Sequence, residues 1–253
     1  MLFRSQQGDT ATLTTNSDTP WLVLTVPTDV QPRSTRTTGL YHVAILVPSR
    51  AALARTIRRL AEKEYPLSGV ADHLVSEALY LDDPDGNGLE IYRDRPRDTW
   101  RFEDGSLRMA TDPLDVRKLL SEGLADSQPW NGLDPQTRVG HVHLQVADLQ
   151  AAVDFYSGVL GFDVMAHYGR SAAFVSAGGY HHHLGLNTWN SLGAQPAPAN
   201  AVGLRDFTVV LPNSEELAKV AERLRAAGSS FDEQDSVLLV RDPSSNAVRL
   251  LTA

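Results

Sequence analysis

The strongest constraint on this chain is that it repeats itself. "GLYHVAILVPSR" (Gly39–Arg50), "VGHVHLQVADLQ" (Val139–Gln150) and "GLRDFTVVLPNS" (Gly203–Ser214) each read as a short strand, a turn and the start of a helix. The helices carry apolar residues at helical spacing: Leu53, Ile57 and Leu60 in the first, Val153, Tyr156 and Leu160 in the second, Leu217, Val220 and Leu224 in the third. The third is opened by an Asn213–Glu216 capping pair and closed by Gly228. Strand-like runs follow each helix: Val75–Leu81, Ala172–Val175 and Ser236–Val240. The last repeat ends in "RDPSSNAVRLL", an echo of "DDPDGNGLEIY" in the first. A strand–helix–strands unit of roughly 50 residues therefore occurs at least three times. The expected class is α+β.

The units partition the chain. Residues 1–34 hold strand-like runs ("TATLTT", "WLVLTV") with no strand–helix before them, so they read as the back half of a first module whose front is missing. Residues 35–93 form the second module, 94–138 a polar linker with Pro96, Pro113 and Pro135 and one short helix near Leu114–Leu120, 139–190 the third module and 191–253 the fourth. A missing front predicts an exposed sheet edge and uncovered apolar surface. Contact between copies would cover it, and a homo-oligomer is expected.

Composition narrows the function. A formal net charge of -8 and the lack of any Lys/Arg-rich run argue against a nucleic-acid partner. No apolar run approaches the length of a membrane span, and "MLFRSQQGDT" has no hydrophobic signal core, so a cytoplasmic protein without membrane contact is expected. There is no cysteine, so any metal must be held by histidine and carboxylate, the ligands of iron, manganese or zinc.

The chemistry concentrates in Ala71–Tyr92, "ADHLVSEALYLDDPDGNGLEIY". His73 and Tyr80 precede a tight Asp-Pro-Asp-Gly-Asn-Gly turn, and Glu90 stands in the strand after it, on the opposite face from Leu89 and Ile91. Overlaying the repeats puts His42, His141 and Asp206 at one position, early in the first strand of each unit, and Glu90 opposite Arg249. The strand at His141 alternates polar (His141, His143, Gln145) with apolar (Val142, Leu144, Val146), which predicts one face towards a polar cavity. A lone strand histidine is usually a satisfied core residue. Two at equivalent repeat positions beside a carboxylate favour a metal site, and two imidazoles with one carboxylate leave open positions on Fe(II). The run His181–His183 in "GGYHHHLGLNTW" offers another histidine; in a regular strand His182 would face away from its two neighbours.

These residues resemble the vicinal oxygen chelate superfamily and, within it, the extradiol ring-cleavage family of bacterial catechol 2,3-dioxygenases. "VDFYSGVLGF" (Val153–Phe162) looks like the superfamily's usual first helix, and His73 through Glu90 is similar to the extradiol signature, departing from it at Ala71. "GLYH", "GGYHHH" and "TVVLP" extend the likeness over nearly the whole chain. The resemblance implies tandem βαβββ modules whose curled mixed sheets cup a metal, the vicinal oxygen chelate fold with its first module truncated. By position it implies His42, His141 and Glu90 as metal ligands, His182 as acid/base residue with His183 in reserve, and His73 and Tyr80 as contacts to substrate oxygens or dioxygen. The implied activity is Fe(II)-dependent (Mn(II) as alternative) cleavage of a catechol, so the partners are a small aromatic diol and O2. Here the signature lies in the second module, so the second and third modules are expected to supply the site and the fourth to be scaffold. Two other readings share the fold: a glyoxalase-like isomerase or lyase on zinc or nickel, which recruits a fourth protein ligand, and a metal-free protein that binds aromatic compounds or drugs.

Overall fold

The computed structural model describes residues 3–15, 21–26, 28–123 and 130–252. In chain order it shows strands β1 (Phe3–Gln7), β2 (Thr10–Thr14), β3 (Leu22–Thr25) and β4 (Gly39–Leu46), then helix α1 (Arg50–Glu62). Strands β5 (Gly69–Asp72), β6 (Ser76–Asp82) and β7 (Gly88–Asp94) follow, with a short hairpin β8 (Phe102–Glu103) and β9 (Ser106–Leu107) and helix α2 (Val116–Gly123). Next come β10 (Arg138–Gln145), α3 (Leu149–Val153), β11 (Asp163–Tyr168), β12 (Ala172–Ser176) and β13 (Leu184–Asn187). The chain ends with β14 (Phe207–Leu211), α4 (Ser214–Ala226), β15 (Phe231–Gln234), β16 (Val237–Arg241) and β17 (Ala247–Thr252). A strand, a helix and three strands recur three times, and the architecture is the mixed α+β one expected from the repeats. No helix among the described residues is long and apolar enough to cross a membrane.

The chain divides into two compact units, residues 1–31 with 42–141, and residues 32–41 with 142–253. In the first, β1, β2 and β3 form an antiparallel meander. Val23, Leu24 and Val26 on and beside β3 are exposed. β4 runs parallel to β7, β7 antiparallel to β6, and β6 antiparallel to β5. Helix α1 starts where Ser49 accepts a hydrogen bond from the Ala52 amide, and buries Leu53 and Ile57 against Leu79 and Ile91. The segment from 94 to 138 contributes to this core: α2 packs on α1 and buries Leu119 completely.

In the second unit, β10 runs parallel to β13, which continues antiparallel to β12 and then β11. A second sheet follows the order β14-β17-β16-β15. Asp148 caps α3 and Asn213 caps α4 through backbone amides, and Gly228 ends α4 in the left-handed conformation at φ 67°. The helix expected to continue from Leu149 widens after Val153 into a π-helical turn over Asp154–Val159, where the Leu160 amide donates to the Phe155 carbonyl at 2.9 Å. Buried Tyr156 in this turn donates its hydroxyl to Asp242 Oδ2 at 3.0 Å.

The echo between the two Asp-Pro turns is structural. Asp83 Oδ1 accepts from the amides of Asp85 and Asn87, while the Asn87 side chain donates to Oδ2. Asp242 accepts from Ser244, Asn246 and the Asn246 side chain in the same way. Gly86 in one turn and Ser245 in the other both have positive φ, 83° and 68°. One local device thus ends the last hairpin of two repeats.

Candidate metal centre

Strand alternation sets the first coordination candidate. Ile91 of β7 belongs to the core beneath α1, so Glu90 emerges on the other face, where Tyr80 of β6 is its register partner. His42 of β4 lies in register with Gly88, two residues before Glu90. The floor beside it is made of small or flat side chains, Ala44, Ala78 and Tyr92, all with no exposed surface. Glu90 Oε2 lies 2.9 Å from His42 Nε2 and 3.1 Å from His141 Nε2. The three candidate ligand atoms all fall within 4.8 Å of one another, and all three residues are buried.

The electrostatics suit a cation. Burial opposes ionisation of Glu90, but the charge and hydrogen bond of His141, then those of His42, outweigh it and hold the carboxyl well below the usual carboxylate range. The anionic oxygen is thus the point on which two imidazole nitrogens converge. Two imidazoles and one carboxylate suit iron or manganese. Among the described residues this is the group of three or more such side chains close enough to hold an ion, and it offers no fourth ligand.

Packing fixes His141 from behind. Its ring lies 4.9 Å from that of Tyr92, centroid to centroid, and a Cβ on Gly140 would fall 1.9 Å from the Tyr92 hydroxyl oxygen. Only glycine lets the fully buried tyrosine pass. Gly140→Ala is therefore expected to destabilise the protein by about 1–3 kcal/mol through overpacking, read from denaturant unfolding. Unchanged stability would show that Tyr92 has room elsewhere.

His73 and Tyr80 join the same group. His73 Nε2 lies 2.6 Å from the Tyr80 hydroxyl, and Nδ1 lies 2.6 Å from the Ala110 carbonyl. A carbonyl only accepts, so Nδ1 carries the hydrogen and, in the neutral ring, Nε2 accepts from the tyrosine. Paired backbone bonds between Asp72 and Asp112, 2.9 Å each way, hold the Ala110 segment against β5. The Tyr80 ring in turn lies 5.6 Å from that of His42. The structure therefore brings together His42, Glu90, His141, Tyr80 and His73 in the first unit. Ala110 and Gly140 carry no reactive side chain, and nothing in the residue pattern marks them.

His182 lies in the second unit. The run His181–His183 precedes β13 in a bend, so strand alternation does not govern it. His182 is buried, with its ring edge-on to Phe174 at 4.9 Å and its Nδ1 2.7 Å from that of His181. His183 is engaged locally: its Nδ1 accepts from the Ala177 amide at 3.2 Å and lies 3.1 Å from the Ser176 hydroxyl. His143, expected to face a polar cavity, is instead ringed by Tyr41, Phe174 and Trp189. At the equivalent positions of the last repeat, Asp206 and Arg249 form an exposed two-pronged ion pair at 2.7 and 3.1 Å.

Comparison with known proteins identifies the family. The family profile of the Glyoxalase/Bleomycin resistance protein/Dioxygenase superfamily matches residues 4–91 and 138–249. A catechol-2,3-dioxygenase of Bacillus subtilis strain 168 is 51% identical over 212 residues, spanning 83% of this chain and 73% of its own. The crystal structure of a candidate dioxygenase from Bacillus subtilis subsp. subtilis strain 168 has a TM-score of 0.60 over 96% of this chain and 72% of that one, at 14% identity, a likeness of fold. The profile spans both parts of the repeat and the relative half of all positions it covers, so this chain belongs to the glyoxalase/bleomycin resistance protein/dioxygenase superfamily.

Proposed function

We propose that the protein is an extradiol dioxygenase that uses Fe(II), with Mn(II) as the alternative, to open the ring of catechol or a substituted catechol with O2. The observation that carries this reading is the buried His42–Glu90–His141 cluster; the 51% identical relative named a catechol-2,3-dioxygenase supports it. The modules 35–93 and 139–190 would then supply the active residues, with 191–253 as scaffold.

In this reading His42, His141 and Glu90 hold the metal. When bound, the ion would lower the pKa of the diol hydroxyls and activate dioxygen at its open positions. Glu90 contributes one negative charge, so the site favours a divalent cation while leaving net positive charge for an anionic diol. The Tyr80 ring lies beside that of His42, and its hydroxyl proton is directed at His73 Nε2 because Ala110 occupies Nδ1. Tyr80 can therefore accept a hydrogen bond from a substrate hydroxyl and pass a proton to His73 as that hydroxyl ionises. His182 keeps the acid/base role implied by the family resemblance. A site with three protein ligands rather than four weighs against the zinc or nickel isomerase reading.

The test uses protein loaded anaerobically with Fe(II) and then given catechol in aerated buffer. The expected result is a yellow ring-opened semialdehyde, with one O2 consumed per catechol. No oxygen uptake with catechol or its alkyl and chloro derivatives would refute the assignment, and activity with zinc but not iron would favour the isomerase class.

A further inference from the structure

We infer that the second unit carries an anion site, separate in residues from the metal ligands, that takes an organic carboxylate with an apolar body. A cavity of about 410 Å3 is bordered by Arg33, Arg205 and Arg241, by Gln145, and by apolar walls that include Leu40 and Leu204. This volume lies within the range of small-molecule sites. No aspartate or glutamate lines it, in a chain whose net charge is -8.

The two carboxylates next in sequence to these arginines are engaged elsewhere. Asp206 accepts both bonds of Arg249, and Asp242 is buried under bonds from Ser244, Asn246 and Tyr156. The guanidinium groups of Arg205 and Arg241 are instead held by backbone carbonyls: Arg205 by those of Ala199 and Ala201, Arg241 by that of Ser245. Carbonyls orient a guanidinium without neutralising it, and five N–H donors leave capacity for an oxyanion. Neither Arg205 nor Arg241 forms an ion pair among the described residues.

Gln145 supplies an independent sign of a ligand. Only 7% exposed and lining the cavity, its side-chain amide has no hydrogen-bond partner among the described residues. The amide opens on the cavity, so a ligand oxygen can accept from it in place of water. Positive charge, a waiting donor and apolar walls together match a carboxylate on a hydrocarbon body better than a bare inorganic ion.

The test is calorimetric titration of the metal-loaded protein at low ionic strength with benzoate, benzamide and inorganic phosphate. Benzoate is expected to bind at least about tenfold tighter than either neutral benzamide or phosphate. Ser245→Asp places a carboxylate at the cavity rim, at a positive-φ position that Asp tolerates, and is expected to weaken benzoate about 10–100-fold. Ser245→Asn, the same shape without charge, is expected to bind as the parent does, and Arg241→Gln to weaken binding about tenfold. No heat with benzoate overturns the site. Equal binding of phosphate overturns the ligand class. Benzoate binding unchanged in Ser245→Asp, as for a carboxylate seated on the metal, or lost equally in Ser245→Asn, overturns the role given to these arginines.

Discussion

Protein carrying Glu90→Gln is expected to fold, to lose divalent-metal binding and to show no measurable ring cleavage. Glutamine preserves the shape of the side chain but removes the charge on which His42 Nε2 and His141 Nε2 converge at 2.9 and 3.1 Å. Substituting a residue that merely supports a metal ligand typically costs about 10–100-fold in affinity or activity, and removing an anionic ligand itself should exceed that. Stability supplies a readout apart from catalysis. A metal present at about 100 times its Kd stabilises the native state by about 2.7 kcal/mol, which for a chain of this size raises Tm by about 5–10 °C. That metal-induced rise should appear in the parent and vanish in Glu90→Gln. In the stripped state the variant should melt somewhat lower than the parent, because the ionised carboxylate gains more from His141 and His42 than its burial costs, and glutamine forfeits that gain. An undiminished metal-induced rise in the variant would show that the ion, if bound, sits somewhere other than among these three residues.

How far this cluster was legible follows from which parts of it obey a period. Glu90 could be assigned a face because Leu89 and Ile91 alternate with it and Ile91 enters the core. His42 and His141 could be paired because the chain repeats, and repeats place equivalent residues equivalently. The same logic linked Asp206 with Arg249, which form an ion pair where the second module has His42 and Glu90. Where regular geometry ends, the pattern stops informing. Alternation predicted opposed faces for His181–His183, yet the run lies in a bend before β13, and each ring finds its own local partner. The helix after Leu149 reads as α throughout, because a π-turn changes hydrogen bonding without changing which residues are apolar. Backbone roles leave least trace. Ala110 orients His73 through its carbonyl and Gly140 makes room for Tyr92 by lacking a Cβ.

Tyr80→Phe should lower kcat for ring cleavage by about 10²–10³-fold while leaving metal affinity and fold intact, because it removes the hydroxyl through which the proposed substrate proton would pass. The hydroxyl is 2.6 Å from His73 Nε2, and the Ala110 carbonyl commits the neutral His73 ring to accept there, so in the proposed reaction the two side chains would hold and move a proton as one unit. His73→Phe should give a loss of similar order, because it strips the tyrosine of its proton acceptor. The decisive measurement is the double variant. Residues acting as one relay lose their function once when either is removed, so the double variant should be no slower than the slower single one by more than a small factor. If the two losses instead multiply, Tyr80 and His73 serve the substrate independently, and the orientation set by Ala110 has no part in the reaction.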